Sequence, residues 1–97
     1  MADKDDILQV DVLDEQHQLT LQELTELCQV QSSLIMDLVE EGALEPIDMY
    51  ASQWYFSGTT IRRVQIAVRL HRDLNVNMPG IALALELLEE LEQFRRR

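Results

Sequence analysis

Between Lys4 and Arg62 the chain has no lysine or arginine, while twelve acids fall in the same interval, from Asp5 to Asp48. The formal net charge is −10 over 97 residues. Such a surface repels nucleic acid and anionic membranes and should attract a basic partner. Cysteine is equally scarce. Cys28 stands alone, which excludes an internal disulfide and suits a reducing compartment, so a cytoplasmic protein is expected. No apolar run approaches the roughly 20 residues of a bilayer span, and the opening MADKDDIL has no signal-peptide h-region. Internal repeats, low-complexity tracts and long linkers are absent too. What remains is 46% apolar, too much for a disordered chain, and of a length that suits one domain spanning residues 1–97.

Along the chain, Ile7–Leu13 alternates Leu8, Val10 and Val12 against Gln9 and Asp11, the period of a half-buried strand. Asp14–Gln18 reads as a polar connection. Thr20-Leu21-Gln22-Glu23 has the spacing of a capping box, and it starts a helix running to about Cys28 with Leu21, Leu24 and Leu27 inward. After Gln29-Val30-Gln31, Ser32 or Ser33 should cap a second helix. That helix buries Leu34, Ile35, Leu38 and Val39, and Gly42 ends it in the left-handed region. Two short helices joined by about three residues, spanning 20–42, make a helix-turn-helix hairpin.

Pro46 closes the connection that follows. Residues 47–50 and 53–56 read as two short strands of a wing hairpin spanning 47–56, with Trp54 and Phe56 on its core face. A long helix is expected over 59–74, with Ile61, Val64, Ala67, Val68 and Leu74 on one face and Ile66 and Leu70 beside it. Asn77-Met78-Pro79 starts a last helix over 78–94. Ile81, Ala84, Leu85, Leu88 and Leu91 carry it toward Phe94, and Arg95–Arg97 complement its C-terminal dipole. The expected fold is therefore mainly α with a small antiparallel β-sheet, in the order β-α-α-β-β-α-α.

Catalytic chemistry finds few residues. His17 and His71 have no metal-ligand neighbour at helical spacing. Zinc held by Cys28, His17 and His71 would need three unrelated elements to converge, and burial is the ordinary fate of such a cysteine. The serines lack a nucleophile elbow, and Pro79-Gly80 opens a helix rather than a phosphate loop. Glu40-Glu41 and Glu89-Glu90 are sequence neighbours that point in different directions, as on solvated helix faces. No enzyme, metal or cofactor is expected.

A helix-turn-helix suggests DNA, but here the second helix and the wing would meet phosphates with acids at 37, 40, 41, 45 and 48. The basic cluster in an ordered region is Arg62, Arg69 and Arg72 with Arg63 beside them, on a helix that supports the fold. Pairing with acids such as Glu86 or Glu89 is its expected use.

Several stretches carry a resemblance to a known family. They are Glu41-Gly42-Ala43-Leu44-Glu45-Pro46, then Trp54-Tyr55-Phe56, then Ala67-Val68-Arg69-Leu70 with Leu74, then Pro79-Gly80-Ile81-Ala82-Leu83-Ala84-Leu85. In this order and spacing, over roughly residues 20–92, the chain resembles the N-terminal domains of MerR-type regulators. It is closer still to the CbpM family of bacterial chaperone modulators. Asp14–Gln18 has no counterpart in that pattern. The resemblance implies a MerR-like winged helix-turn-helix and a protein partner. CbpM-type proteins bind the J-domain of the DnaJ-like co-chaperone CbpA, block its stimulation of DnaK and interfere with its DNA binding. J-domains present a basic helix to DnaK, which an acidic surface could occupy.

On charge and expected exposure, the partner-binding residues are Glu23 and Glu26 of the first helix and Asp37, Glu40 and Glu41 of the second. The last three are spaced i, i+3, i+4 and share a face. An apolar site would instead use Tyr50 and Tyr55 on the wing, or Leu83, Leu87 and Phe94 on the last helix. For the helix stripe, packing within a monomer or across a homodimer is the expectation. The alternative reading of the whole chain is a MerR-type DNA-binding transcriptional regulator.

Overall fold

The computed structural model describes residues 17–95. The expected strand Ile7–Leu13 and most of the connection after it lie outside these residues. The elements are β1 (Gln18–Thr20), α1 (Leu21–Cys28), α2 (Ser32–Glu40), β2 (Tyr55–Ser57), α3 (Thr60–Leu74) and α4 (Met78–Arg95). This is the expected class, mainly helical with a two-stranded antiparallel sheet. Gln18 faces Ser57, Leu19 faces Phe56 and Thr20 faces Tyr55.

The starts of α1 and α4 can be traced to side-chain bonds within one turn of chain. Thr20 ends β1 and caps α1 in the same residue. Its hydroxyl accepts the Glu23 amide at 3.1 Å, and Glu23 Oε1 accepts the Thr20 amide at 2.9 Å. At α4 the Asn77 Oδ1 accepts the Gly80 amide at 2.8 Å, an N-cap bond made possible by the residue at 80. A Cβ on Gly80 would lie 2.8 Å from Val76 Cγ1 and 3.0 Å from that same Asn77 oxygen. Helix ends are equally specified. Gly42 follows α2 at φ +83°, and Gln29 and Asn75 end α1 and α3 in the left-handed region at φ 57°. Glycine would take these last two with less strain.

The core gathers Leu19, Leu24, Ile35, Leu38, Val39, Leu44, Phe56, Ile61, Val64, Ala67, Ile81 and Leu85, all buried. α1 packs on α2 and α3, while α4 packs on α3 and α2. Phe56, fully buried, makes a T-shaped contact with Trp54 at 6.3 Å between ring centroids.

Four local expectations change. The hairpin over 47–56 does not form. Ile47 makes one bond to the Tyr55 carbonyl, at 2.8 Å, and the chain then loops through 48–53. β2 pairs instead with β1, because that partner brings Leu19 against the core beside Phe56, whereas 47–50 offers exposed Ile47, Met49 and Tyr50. Gln18, read as connection, belongs to that ladder. Neither Ser32 nor Ser33 caps α2. The N-cap is Gln31, with no side-chain cap bond, and both serines lie in the first exposed turn. Finally, Leu27, Leu74, Leu88, Leu91 and Phe94 are exposed, Leu74 at 68% and Phe94 at 71%. Leu27, Leu74, Leu91 and Phe94 lie toward the C-terminal ends of their helices, whereas Leu88 stands mid-helix on a groove shared with Arg62 and Ile66 of α3.

Phe56→Ala should cost about 3–5 kcal/mol, the usual range for emptying a packed aromatic site. Thr20→Ala should cost about 1 kcal/mol, the value of an N-cap. Urea unfolding of the two variants checks both the order and the spacing of these losses.

Candidate protein-binding surface

The acids expected from charge lie on α1, on α2 and at its C-cap, and the structure separates them by role. Glu23 is committed to the capping box. Glu26 accepts from the Gln22 amide nitrogen at 3.3 Å one turn away. Asp37, Glu40 and Glu41 are exposed, with helix ending at Glu40 and Glu41 standing at the C-cap. An acid at a helix C-terminus opposes the helix dipole, so Glu41 is there at a small cost in stability. Asp37 borders a shallow groove whose far side carries His71 and Arg72 of α3. Glu41 and Glu45 border another, shared with Arg63 of α3 and with Glu86 and Glu89 of α4.

Arg63 is the cation that sequence reading placed beside the basic cluster, and the structure gives it a definite task. Its Nη2 and Nε donate to the Ala43 carbonyl at 2.9 and 3.3 Å, and its Nη1 reaches Glu89 Oε1 at 3.4 Å. Ala43 is buried in the turn after α2, so this guanidinium satisfies a carbonyl that water reaches poorly. The expected pairing of the helix with Glu89 is present, but the bond to Ala43 is shorter and more sheltered. Arg62, Arg69 and Arg72 are exposed on the same helix.

The described part of α1, the turn, α2 and the loop up to β2 thus form a helix-turn-helix surface with seven acids and no lysine or arginine. A family model described as MerR HTH family regulatory protein matches residues 19–97. The chaperone modulatory protein CbpM of Coxiella burnetii (strain Dugway 5J108-111) is 33% identical over 86 residues, which cover 89% of this chain and 81% of that protein. CbpM of Pseudomonas entomophila (strain L48) is 36% identical over 78 residues, covering 80% and 77%. CbpM of Pseudomonas putida (strain W619) is 32% identical over the same length and shares. The chain belongs to the CbpM family, within the MerR helix-turn-helix group.

Among the described residues no three His, Cys, Asp or Glu side chains gather as a metal site would require, and no helix is long and apolar enough to cross a membrane. Cys28 is half-buried against the core at the end of α1. Sequence reasoning missed one feature of this surface, a groove between α1, α2 and the segment before β2. It is lined by Leu21, Met36 and Trp54 with Thr20, Gln22, Ser52 and Gln53. The signal available was Met36, an apolar residue off the core face of α2, but its neighbours come from two other segments.

Arg63→Met should destabilise the fold by about 1–3 kcal/mol, because the buried Ala43 carbonyl loses its donor. Glu89→Gln removes only a largely exposed ion-pair partner and should change stability by less than about 1 kcal/mol. Denaturant melts of both variants test which of Arg63's two partners matters.

Proposed function

We propose that the chain is a chaperone modulator that binds the J-domain of a CbpA-type DnaJ homologue through its acidic helix-turn-helix surface. Binding there inhibits the co-chaperone's action on DnaK and its DNA binding. The observation that carries this reading is the absence of any cation from the helix-turn-helix, the segment that in a DNA-binding relative would face phosphate. The relatives' common name, chaperone modulatory protein, supports the same class of partner.

Asp37, Glu40 and Glu41 are the contact acids, with Glu26 on the flank, and Glu23 adds its charge while holding the cap of α1. Charges of this exposed kind chiefly steer encounter and set salt dependence. They also account for the charge inversion of the fold: a basic helix on the partner replaces the anionic groove that a DNA-binding helix-turn-helix would meet. The family model's description keeps a second reading in view, a MerR-type DNA-binding regulator. Against it, α2 would enter the groove with Asp37 and Glu40 and no cation.

Titration of the labelled chain with the isolated J-domain, followed by NMR, should shift amides of α1 and α2, and the affinity should fall as salt rises. Asp37→Lys and Glu41→Lys should weaken binding several-fold at low salt while leaving the amide spectrum folded. Shifts confined to α3, with duplex DNA retarded at moderate salt, would instead favour the DNA-binding reading.

A further inference from the structure

Steering charges do not by themselves hold a partner; tight interfaces are anchored by a few large side chains in a desolvated site. The groove between α1, α2 and the segment before β2 has the features of such an anchor. It is an open groove of about 570 Å³, and its apolar side chains are Leu21, Met36 and Trp54. Met36 is 46% exposed on the outward side of α2, although Ile35, Leu38 and Val39 already supply the core face. Beside the groove, the loop that contributes Ser52 and Gln53 to its wall also carries exposed Met49 and Tyr50, the latter 95% exposed. Among the described residues this is the most exposed of the large apolar side chains, and no packing need explains it.

The loop is built to hold that shape. The Trp54 indole N–H donates to the Met49 carbonyl at 3.1 Å. Asp48 Oδ1 accepts the Tyr50 amide at 3.0 Å, and the Asp48 carbonyl accepts the Ala51 amide at 3.2 Å. Ile47 is bonded to Tyr55, and the Trp54 ring rests edge-on against buried Phe56. Tyr50 is therefore displayed on a structured turn. Three acids are near the feature in sequence: Glu23 follows Gln22 of the wall, Glu40 lies one turn past Met36, and Asp48 belongs to the turn that carries Tyr50.

We propose that this groove and Tyr50 are the anchor for a partner helix that is amphipathic and basic. One apolar side chain of that helix enters between Met36 and Trp54, and its arginines or lysines meet Tyr50 and the surrounding acids. Methionine adapts to an incoming side chain, and the tyrosine face receives a guanidinium or an ammonium stem. The charge argues for this occupant, since residues 17–61 offer a cationic helix seven acids and no competing cation. The inference rests on the reading of the chain as a binder of a basic J-domain. It differs in what it makes decisive: the apolar groove rather than the acids alone.

Trp54 is the one tryptophan of the chain and lines the groove, so it reports occupancy directly. The full chain is titrated with the tryptophan-free form of the isolated J-domain, by Trp54 emission and in parallel by calorimetry, at low and at high salt. Binding should change the Trp54 emission. Tyr50→Ala and Met36→Ser, both at exposed positions, should each weaken binding by about tenfold or more at both salt concentrations. Asp37→Lys should matter chiefly at low salt, and Leu83→Ser on α4 should bind as the unaltered chain does. Calorimetric binding with unchanged Trp54 emission and unaffected Tyr50 and Met36 variants overturns the anchor while leaving the function standing. No calorimetric binding at all overturns the function, and the anchor with it. A change in the mass of the chain alone caused by Tyr50→Ala would show a second copy in the groove and overturn the proposed occupant.

Discussion

The three-residue pairing of Gln18–Thr20 with Tyr55–Ser57 is the constraint on which the rest of the domain depends. It places Leu19 and Phe56 side by side in the core, and both flanking helices take their starting points from it. Thr20 leaves the ladder directly into α1, and Ser57 is followed within three residues by α3. A two-stranded ladder this short has little stability of its own. It persists because Phe56 and Leu24 are fully buried and the capping box ties the strand end to the first helical turn. In return it fixes where the helix-turn-helix sits against the long helix.

The helices were legible because their signals are local. Thr20 with Glu23, Gly42 after α2, and Asn77-Met78-Pro79 at the start of α4 are chemical statements about a single turn of chain, and the helices begin and end where these residues stand. The capping of α2 was misread because two serines in succession invite the assignment, while the residue with the required extended backbone is Gln31. The strand pairing was not legible. Whether Tyr55–Ser57 pairs with 47–50 or with Gln18–Thr20 depends on which neighbour completes the core, a comparison across nearly forty residues of chain. Exposure at helix ends was hidden for the same reason: periodicity tells which side of α4 is apolar, but not how far along it the neighbouring elements reach.

Of the candidate surface, the acids were legible because charge needs no partner to be counted. Their separate duties were not, since only the folded chain shows Glu23 spent on a cap while Asp37 and Glu40 face solvent. The groove at Met36 and Trp54 could not be read at all, because three separate segments build it. Among the described residues the helix-turn-helix and the loop after it carry acids without lysine or arginine, and the cations of α3 stand on the supporting helix. Such a division keeps a helix-turn-helix backbone while giving its surface the sign opposite to one built to meet phosphate.

Arg63 has one further consequence. Its guanidinium joins α3 to the Ala43 carbonyl and to Glu89 of α4, and it lies in the same depression as Glu41 and Glu45. The acidic turn after α2 is thus fastened to both scaffold helices by one side chain whose freedom is already lost in the folded state. A partner that touches this turn meets a surface that needs little further ordering, so the entropy spent on association falls mainly on the partner's side.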